Sequence, residues 1–513
     1  MTAPTEIEIK LELPSAKALR IADVPAVRQT SRTVRSEKLV SIYFDTDRLK
    51  LGRHGVTLRV RRIGRQHVQT VKTGNGLFER GEWETPIASD HPDLQAARRT
   101  PIKSLLTRKA GQQLHAVFET RVRRRTYLLR TKSADIALAI DRGEIDTGKS
   151  KLPLHEMELE LKRGDRAELF ELARTLARIT SAELAVKSKS QRGYELIDGV
   201  VGGAARAEAL ELPKRASAGD AFRLIAGSCL KQIVANKPAV LAGKADGIHQ
   251  MRVGLRRLRA AFSLFKDILP AGSSLQIKDE LKWLTDELGP ARELEVLLGN
   301  VVTPLAKRRG KAAGIVTLSR ELRRERQLAR QRAADAANSS RFRDLMLDLA
   351  GWIEIGAWAH KDPLLAERAA EPVATCARIE LERRWKKVRK RGRALPTLEV
   401  QRRHKLRIQA KKLRYAAEFF ASVFNSKEDG KRHKAFVRTL HELQDRLGEL
   451  NDIAVHENRS TAVAEASAAR AKAQSHRAFA AGLVVGHEEA RQQSVLEAAE
   501  RAYGRFRTAK PFW

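Results

Sequence analysis

The chain has 513 residues, too many for one hydrophobic core, and its hydrophobic content of 42% supports two or three globular domains. Lys and Arg total 98 against 62 Asp and Glu, a formal charge of +36, which points to a polyanionic partner: nucleic acid, an anionic membrane surface or polyphosphate. Aromatics at 5% argue against single-stranded nucleic-acid binding by base stacking, and no apolar run approaches the roughly 18 to 20 residues that span a bilayer.

The chain opens polar and enters a strand at once, so no signal peptide is expected. In Glu6-Ile7-Glu8-Ile9-Lys10-Leu11-Glu12-Leu13, charged and apolar residues alternate with period two. A strand therefore puts Glu6, Glu8, Lys10 and Glu12 on one face and Ile7, Ile9, Leu11 and Leu13 on the other. Short alternating runs follow at 40–45, 56–62, 67–72, 78–87, 118–129 and 136–141, with a turn at Gly74-Asn75-Gly76. The acidic alternation returns in Glu156-Met157-Glu158-Leu159-Glu160-Leu161-Lys162. A helix is expected over 165–179, where Leu169, Leu172, Ala173 and Leu176 form an apolar stripe. Many antiparallel strands in one domain suggest a closed barrel or a sandwich.

Two carboxylate strands and a set of basic strands imply a charged cavity. The carboxylates are Glu6, Glu8, Glu156, Glu158 and Glu160, with Glu82 and Asp141 as additions. The bases are Lys10, Arg59, Arg61, Lys72, one or more of Arg121 to Arg125, Lys187, Lys189 and Arg192. Alternating Glu offers hard oxygen ligands that suit Mg²⁺ or Mn²⁺, ions that also coordinate phosphate. Arg and Lys beside them neutralise phosphate oxygens. A short, highly charged phosphate chain fits such a cavity.

Gly- and Ala-rich residues near 199–219 read as a linker, after which strand signals end and helical spacing takes over. Two cysteines, Cys229 and Cys376, lie far apart and suit a reducing, cytoplasmic setting. The helical half repeats itself. His249-x-x-Arg252-x-x-x-Arg256-Arg257-x-Arg259 matches His404-x-x-Arg407-x-x-x-Lys411-Lys412-x-Arg414, and Leu284-Thr-Asp286-Glu-Leu-Gly289 matches Leu443-Gln-Asp445-Arg-Leu-Gly448. Positions 0, +3, +7 and +10 fall within about 80° on a helix, so each copy carries a cationic stripe that a bound polyanion would relieve of self-repulsion.

Glu6-x-Glu8-x-Lys10 resembles the ExExK signature of the CYTH domain, the triphosphate tunnel metalloenzymes. It is followed by Tyr43-Phe44-Asp45-Thr46, Leu58-Arg59-Val60-Arg61, Thr70-Val71-Lys72, Arg80-Gly81-Glu82, Glu156-x-Glu158-x-Glu160 and Lys187-x-Lys189-x-x-Arg192-Gly193-Tyr194. The resemblance implies an eight-stranded antiparallel β-barrel that hydrolyses triphosphates, or cyclises a nucleotide, with Mg²⁺ or Mn²⁺. It makes Glu6, Glu8, Glu156 and Glu158 the metal ligands, with Glu6, Glu8 and Lys10 catalytic. Lys10, Arg59, Arg61, Lys72, Arg124, Lys187, Lys189 and Arg192 hold triphosphate. The strand register at Arg121 to Arg125 stays ambiguous, with Arg124 favoured.

The repeat, with Leu288-Gly-Pro-Ala-Arg292-Glu-Leu-Glu295-Val and Leu447-Gly448-x-x-Asn451-Asp452, resembles the CHAD domain, the conserved-histidine α-helical domain. That implies two four-helix bundles around a basic groove for inorganic polyphosphate. Its contacts would be His249, Arg252, Arg256, Arg257, Arg259, His404, Arg407, Lys411, Lys412 and Arg414. Glu293 and Glu295 stand where the family usually has Asp. The expected layout is α+β: a tunnel domain at 1–200, a linker at 201–217, a helical domain at 218–505 and a basic tail at 506–513. The expected protein is a cytoplasmic inorganic triphosphatase with polyphosphate as partner, with polyphosphate granules as a candidate location. The alternatives are a non-catalytic polyphosphate binder or, ranked lower, a nucleotide cyclase or thiamine triphosphatase. Nucleic acid ranks below polyphosphate as the specific partner.

Overall fold

The computed structural model describes residues 5–14, 24, 27, 31–73, 77–309, 313–356, 358, 362–424, 426–465 and 471–513. The chain forms two compact units. One is Met1–Ala205 with Leu230–Ala239 and Asn338–Gly356; the other is Arg206–Cys229 with Val240–Ala337 and Ala357–Trp513.

The first unit is built on one antiparallel sheet of nine strands. These are β1 (Thr5–Glu12), β2 (Ser31–Asp45), β3 (Thr57–Ile63), β4 (Gln66–Thr73), β5 (Glu79–Ile87), β6 (His115–Arg130), β7 (Ala134–Asp146), β8 (Lys151–Gly164) and β9 (Glu183–Leu184). Their order is β5-β4-β3-β2-β6-β7-β8-β1-β9, and β1 also pairs with β5 through Thr5↔Gly81, Glu6↔Arg80 and Ile7↔Glu79. Eight strands were expected. The ninth is a two-residue pairing with Leu11 and Glu12, too short to show alternation. The predicted turn at 74–76 lies outside the described residues.

Period-two alternation gives the sheet a charged face and an apolar face. Ile9, Leu11, Ile136, Leu138, Met157 and Leu159 on the apolar face are all buried. Helix α1 (Arg166–Thr180) packs across β1, β7 and β8 with Leu169, Leu172, Ala173 and Leu176 buried beneath it. Asp165 caps α1, accepting the Ala167 N–H at 2.8 Å. The helix Ser340–Ile355 packs on α1 in turn, which is why a segment so distant in sequence belongs to this unit. The residues read as a linker are tied down: Asn236 exchanges hydrogen bonds with the Ala205 backbone at 2.8 and 2.9 Å, and Leu212 N–H donates to Ser422 Oγ at 2.8 Å.

Among the described residues the second unit is helical. Helix α2 belongs to the first unit (Lys189–Ile197). The second unit carries α3 (Ala245–Leu264), α4 (Ala271–Leu297), α5 (Val373–Gly392), α6 (Val400–Phe419), α7 (Lys427–Glu465) and α8 (Ala471–Thr508), with further helices between, among them the 26-residue Ala313–Asn338. The sequence repeat is a structural one. Met251, Leu255 and Leu258 of α3 are buried, and so are their counterparts Leu406, Ala410 and Leu413 of α6. The equivalent residues Phe265 and Phe420 meet edge to face at 6.0 Å, so the two copies touch at matching positions. No helix among the described residues is long and apolar enough to cross a membrane.

Because Leu159 is fully buried between sheet and helix, Leu159→Ala is expected to destabilise the first unit by about 2–5 kcal/mol. A lowered denaturant midpoint in urea unfolding of the full chain checks this.

Candidate active site and cationic stripe

The charged face of the sheet gathers acids and bases from β1, β6, β7 and β8. Lys10 lies opposite Glu158 in register, and its Nζ is 2.9 Å from Glu158 Oε1 and 3.2 Å from Glu8 Oε2. Asp141 sits between Arg124 on one side and Glu156 on the other. Two carboxylates directly opposite repel. Lys189 at the start of α2 offsets this: its Nζ lies 2.8 Å from Asp141 Oδ2, 2.8 Å from Glu158 Oε1 and also bonds Glu156. Arg124 donates to both Asp141 oxygens at 2.7 and 2.6 Å and to Glu158. Arg192 reaches Glu156 Oε2 at 3.2 Å and Glu12 at 3.4 Å.

Asp141, Glu156 and Glu158 each present an oxygen within 4.8 Å of the others, and all three are buried. Burial alone would protonate them. Against that burial, Lys10, Lys189 and Arg124 hold Glu158 well below the ordinary carboxylate range. Asp141 is also lowered, by Lys189 and Arg124. Glu156 goes the other way, because burial outweighs Lys189 and Arg192. Lys189 itself is raised: burial opposes its charge, but Asp141, Glu156 and Glu158 outweigh it.

Register settles the basic run of β6. Arg124 faces the carboxylates, while Arg121, Arg123 and Arg125 are exposed on the opposite face. Asp141, which sequence reasoning treated only as an addition, is central. Its signal was a lone acid ending an apolar strand run. The Glu6 side chain lies outside the described residues; its backbone is opposite Arg80.

The β2–β5 side carries the other predicted cations. Arg59 Nη2 lies 3.3 Å from Glu82 Oε1, and Lys72 Nζ lies 2.5 Å from Glu82 Oε2. Arg61 donates to Ser41 Oγ at 3.3 Å. Burial, then the charge of Arg59, pushes Lys72 down to about 8. Burial, Arg59 and Arg124 lower Arg61 to about 10. A recess beside them is lined by Glu8, Lys10, Lys72, Leu77, Phe78, Glu82 and Ala185. Lys187 turns elsewhere, to Glu195 at 2.6 Å.

Helix α2 is placed by its flanks. Ser188 accepts the Gln191 N–H at 3.2 Å, and its own N–H donates back to Gln191 Oε1 at 2.9 Å, which fixes the first turn carrying Lys189. Gly193 lies against Phe118, where any Cβ would fall 2.3 Å from the ring. Tyr194 OH donates to Asp45 Oδ2 at 2.9 Å. The buried Asp45 also accepts the backbone N–H groups of Thr46, Leu51 and Gly52, at 2.7, 2.9 and 2.8 Å. Sequence reasoning used Asp45 and Tyr194 only as motif letters; here they tie α2 to the end of β2.

In the helical unit, Arg256 at +7 of the first copy comes close to Arg407 and Lys411 at +3 and +7 of the second. Burial, then Arg292 and Arg256, lowers His249 to about 4. Burial and Arg256 lower Arg252 to about 10, and burial, Arg407 and Arg256 lower Lys411 to about 7. Arg256 thus feels both stripes, and Arg292 joins them although only its motif was noticed. The Nε atoms of Arg252, Arg256 and Arg407 are buried without a hydrogen-bond partner. His404 is exposed, with Nδ1 2.6 Å from Asn451 Oδ1. The +8 residues leave this set. Arg257 is buried with its guanidinium 5.3 Å from the Phe419 ring centroid, and Lys412 reaches Ser263 Oγ at 3.4 Å. Eight residues on, a helix has turned about 80° past the stripe's origin and away from +3 and +7. At +10, Arg259 is exposed and Arg414 pairs with Glu418 at 2.8 Å.

Tyr194→Phe leaves Asp45 three backbone donors and is expected to cost about 1–2 kcal/mol. Asp45→Ala strands all four donors and is expected to cost more. Denaturant unfolding of both variants checks the order.

The CYTH domain family matches residues 4–194 and the CHAD domain family matches residues 224–461. An inorganic triphosphatase of Haemophilus influenzae is 27% identical over 197 residues, which are 37% of this chain and 54% of that protein, so the chain spans about half of that relative's length. An uncharacterised protein of Mycobacterium tuberculosis is 25% identical over 424 residues, 77% of this chain and 78% of that one. The crystal structure of the CHAD domain from Ricinus communis is 30% identical, with a TM-score of 0.48, covering 59% of this chain and 96% of that one. The chain therefore carries a CYTH domain at residues 4–194 and a CHAD domain at residues 224–461.

Proposed function

We propose that this protein is a divalent-metal-dependent inorganic triphosphatase whose helical unit binds inorganic polyphosphate. The observation that carries the reading is the convergence of Asp141, Glu156 and Glu158 within 4.8 Å, ringed by Lys10, Arg124, Lys189 and Arg192. Three hard oxygen donors suit Mg²⁺ or Mn²⁺. The Lys189 ammonium stands where they converge, which marks the place as one built for positive charge.

In this reading the sheet closes through its β1–β5 pairing into an eight-stranded tunnel, with its charged face inside. Asp141, Glu156 and Glu158, together with Glu6 and Glu8 from the motif, would hold the metal. A divalent ion bound there supplies charge neutralisation at phosphate oxygens and an acidified water. Lys10, Arg59, Arg61, Lys72, Arg124, Lys189 and Arg192 bind and orient the phosphate chain, the arginines by two-pronged contacts. Lys187 is a phosphate ligand only after it leaves Glu195. Glu82 pairs with both Arg59 and Lys72 and offsets part of their mutual repulsion. The chain would fold into two helical bundles after the tunnel, and the orphaned Nε atoms of Arg252, Arg256 and Arg407 support a polyanion on the stripe. Triphosphate and polyphosphate are both phosphoanhydride chains, so one protein would bind a store and cleave a short member of it. Two free thiols support a reducing compartment, the cytoplasm, close to polyphosphate.

A second reading, a non-catalytic polyphosphate binder, draws support from one contact set: Lys189 already satisfies all three carboxylates. Hydrolysis separates the two. Glu158→Gln and Glu8→Gln are each expected to lower tripolyphosphate hydrolysis at least about 100-fold while leaving long-chain polyphosphate affinity unchanged. Full turnover in both variants contradicts the metal assignment.

Lys411, lowered to about 7, loses its proton as pH rises through that value, so its cationic form is lost on the alkaline side. Polyphosphate affinity is therefore expected to fall between about pH 6 and about pH 9. Lys411→Arg, charged throughout, should flatten the profile. Isothermal titration across that range checks it.

A further inference from the structure

The face of the sheet opposite the carboxylates carries a second, exposed cationic array. Lys38 of β2 lies opposite Arg123 of β6, and Arg123 lies opposite Arg142 of β7. Arg121 and Arg125 flank Arg123 along β6 on the same face. Arg62 of β3 continues the row beyond Val40, the residue opposite Arg121. All six cations are exposed. Arg121 is paired with Glu119 at 2.5 Å, but among the described residues Lys38, Arg62, Arg123 and Arg125 have no carboxylate partner.

The contrast with the buried face is physical. There, register sets Lys10 against Glu158, Arg124 against Asp141 and Lys72 against Glu82. Here it sets Lys38 against Arg123 and Arg123 against Arg142, while Glu144 stands opposite Arg121; the like-charged row destabilises a sheet unless something anionic lies over it. Adjacent strands are about 4.8 Å apart and alternate residues along one strand about 6.8 Å. The array therefore presents closely spaced positive charge in two directions. Five of the six are arginines, which grip phosphate oxygens in pairs. The neighbours on this face of β2 are Ser36 and Val40, so no aromatic ring among them offers a platform for a base. The array also lies on the face of a sheet, not on a helix or a ribbon that enters a groove.

We propose that this outer face is a second binding surface for long-chain inorganic polyphosphate, separate from the helical stripe. A chain of phosphates without bases satisfies the charge and asks nothing of the missing aromatics. This inference rests on the polyphosphate reading only for its choice of ligand; its residues are in a different unit from the stripe.

The test uses the full chain and long-chain polyphosphate. The triple variant Lys38→Gln, Arg123→Gln, Arg125→Gln is made both alone and on top of Arg256→Gln, Arg407→Gln, with circular dichroism confirming the fold. In the doubly altered protein, polyphosphate affinity is expected to fall at least about tenfold below that of the stripe variant, and the slope of log affinity against log salt to fall by about two. Unchanged affinity and slope on removal of the three outer cations overturn the proposal, whatever the stripe variant does. Single-stranded RNA forms the second arm. RNA bound more tightly than polyphosphate, and lost with the same three cations, also overturns it by giving the face to nucleic acid. A stripe variant that keeps full polyphosphate affinity, beside a triple variant that loses it, supports the outer face and defeats the helical assignment.

Discussion

The structure depends on the pairing of buried charge on one face of a β-sheet. Asp141, Glu156 and Glu158 are taken out of water by the fold, a step that costs several kcal/mol per isolated ion. It is sustained because Lys10, Arg124, Lys189 and Arg192 come from three other elements to the same place. Removing one partner from such a cluster strands the rest, at about 3–5 kcal/mol. The sheet is thus inverted relative to an ordinary one-sided sheet: the apolar face packs under α1, and the polar face buries carboxylates with their own counterions. An interior of this kind is poor as a stabilising core and well suited to exchanging its internal partners for a charged ligand.

That exchange is where fold and chemistry meet. The carboxylates accept from ammonium and guanidinium groups, and a phosphate chain would take those same donors. The loops and caps serve this arrangement. Ser188 and Gln191 start α2 where Lys189 must enter, Gly193 lets the helix lie on Phe118, and Tyr194 anchors it to Asp45. Lys189 and Arg192 are therefore held by a helix clamped at several points, not by a free loop.

Much of this was legible in the sequence because strands write their faces in period two. Glu6 to Leu13 and Glu156 to Lys162 give away both the strands and their charged face, and the repeat from His249 and His404 gives away the helical half. What was hidden had no periodicity to carry it. Asp141 is one of four acids on β7, with Asp135, Glu144 and Asp146, and its place between Arg124 and Glu156 depends on pairing register between distant strands. The two-residue β9 is below any periodic signal. On the helices, residue type said cationic at +7 and +8 alike, while geometry puts Arg256 among the stripe and Arg257 over Phe419 in the core. The segment Ser340–Ile355 reads as one more amphipathic helix, and only its packing on α1 assigns it to the first unit.

The most direct measurement is phosphate release by the purified full chain from tripolyphosphate, with and without Mg²⁺ or Mn²⁺, beside ATP, thiamine triphosphate and long-chain polyphosphate. The account predicts turnover of tripolyphosphate that requires the metal and exceeds turnover of the others. Folded protein that releases no phosphate from any of them, with either metal, would contradict it.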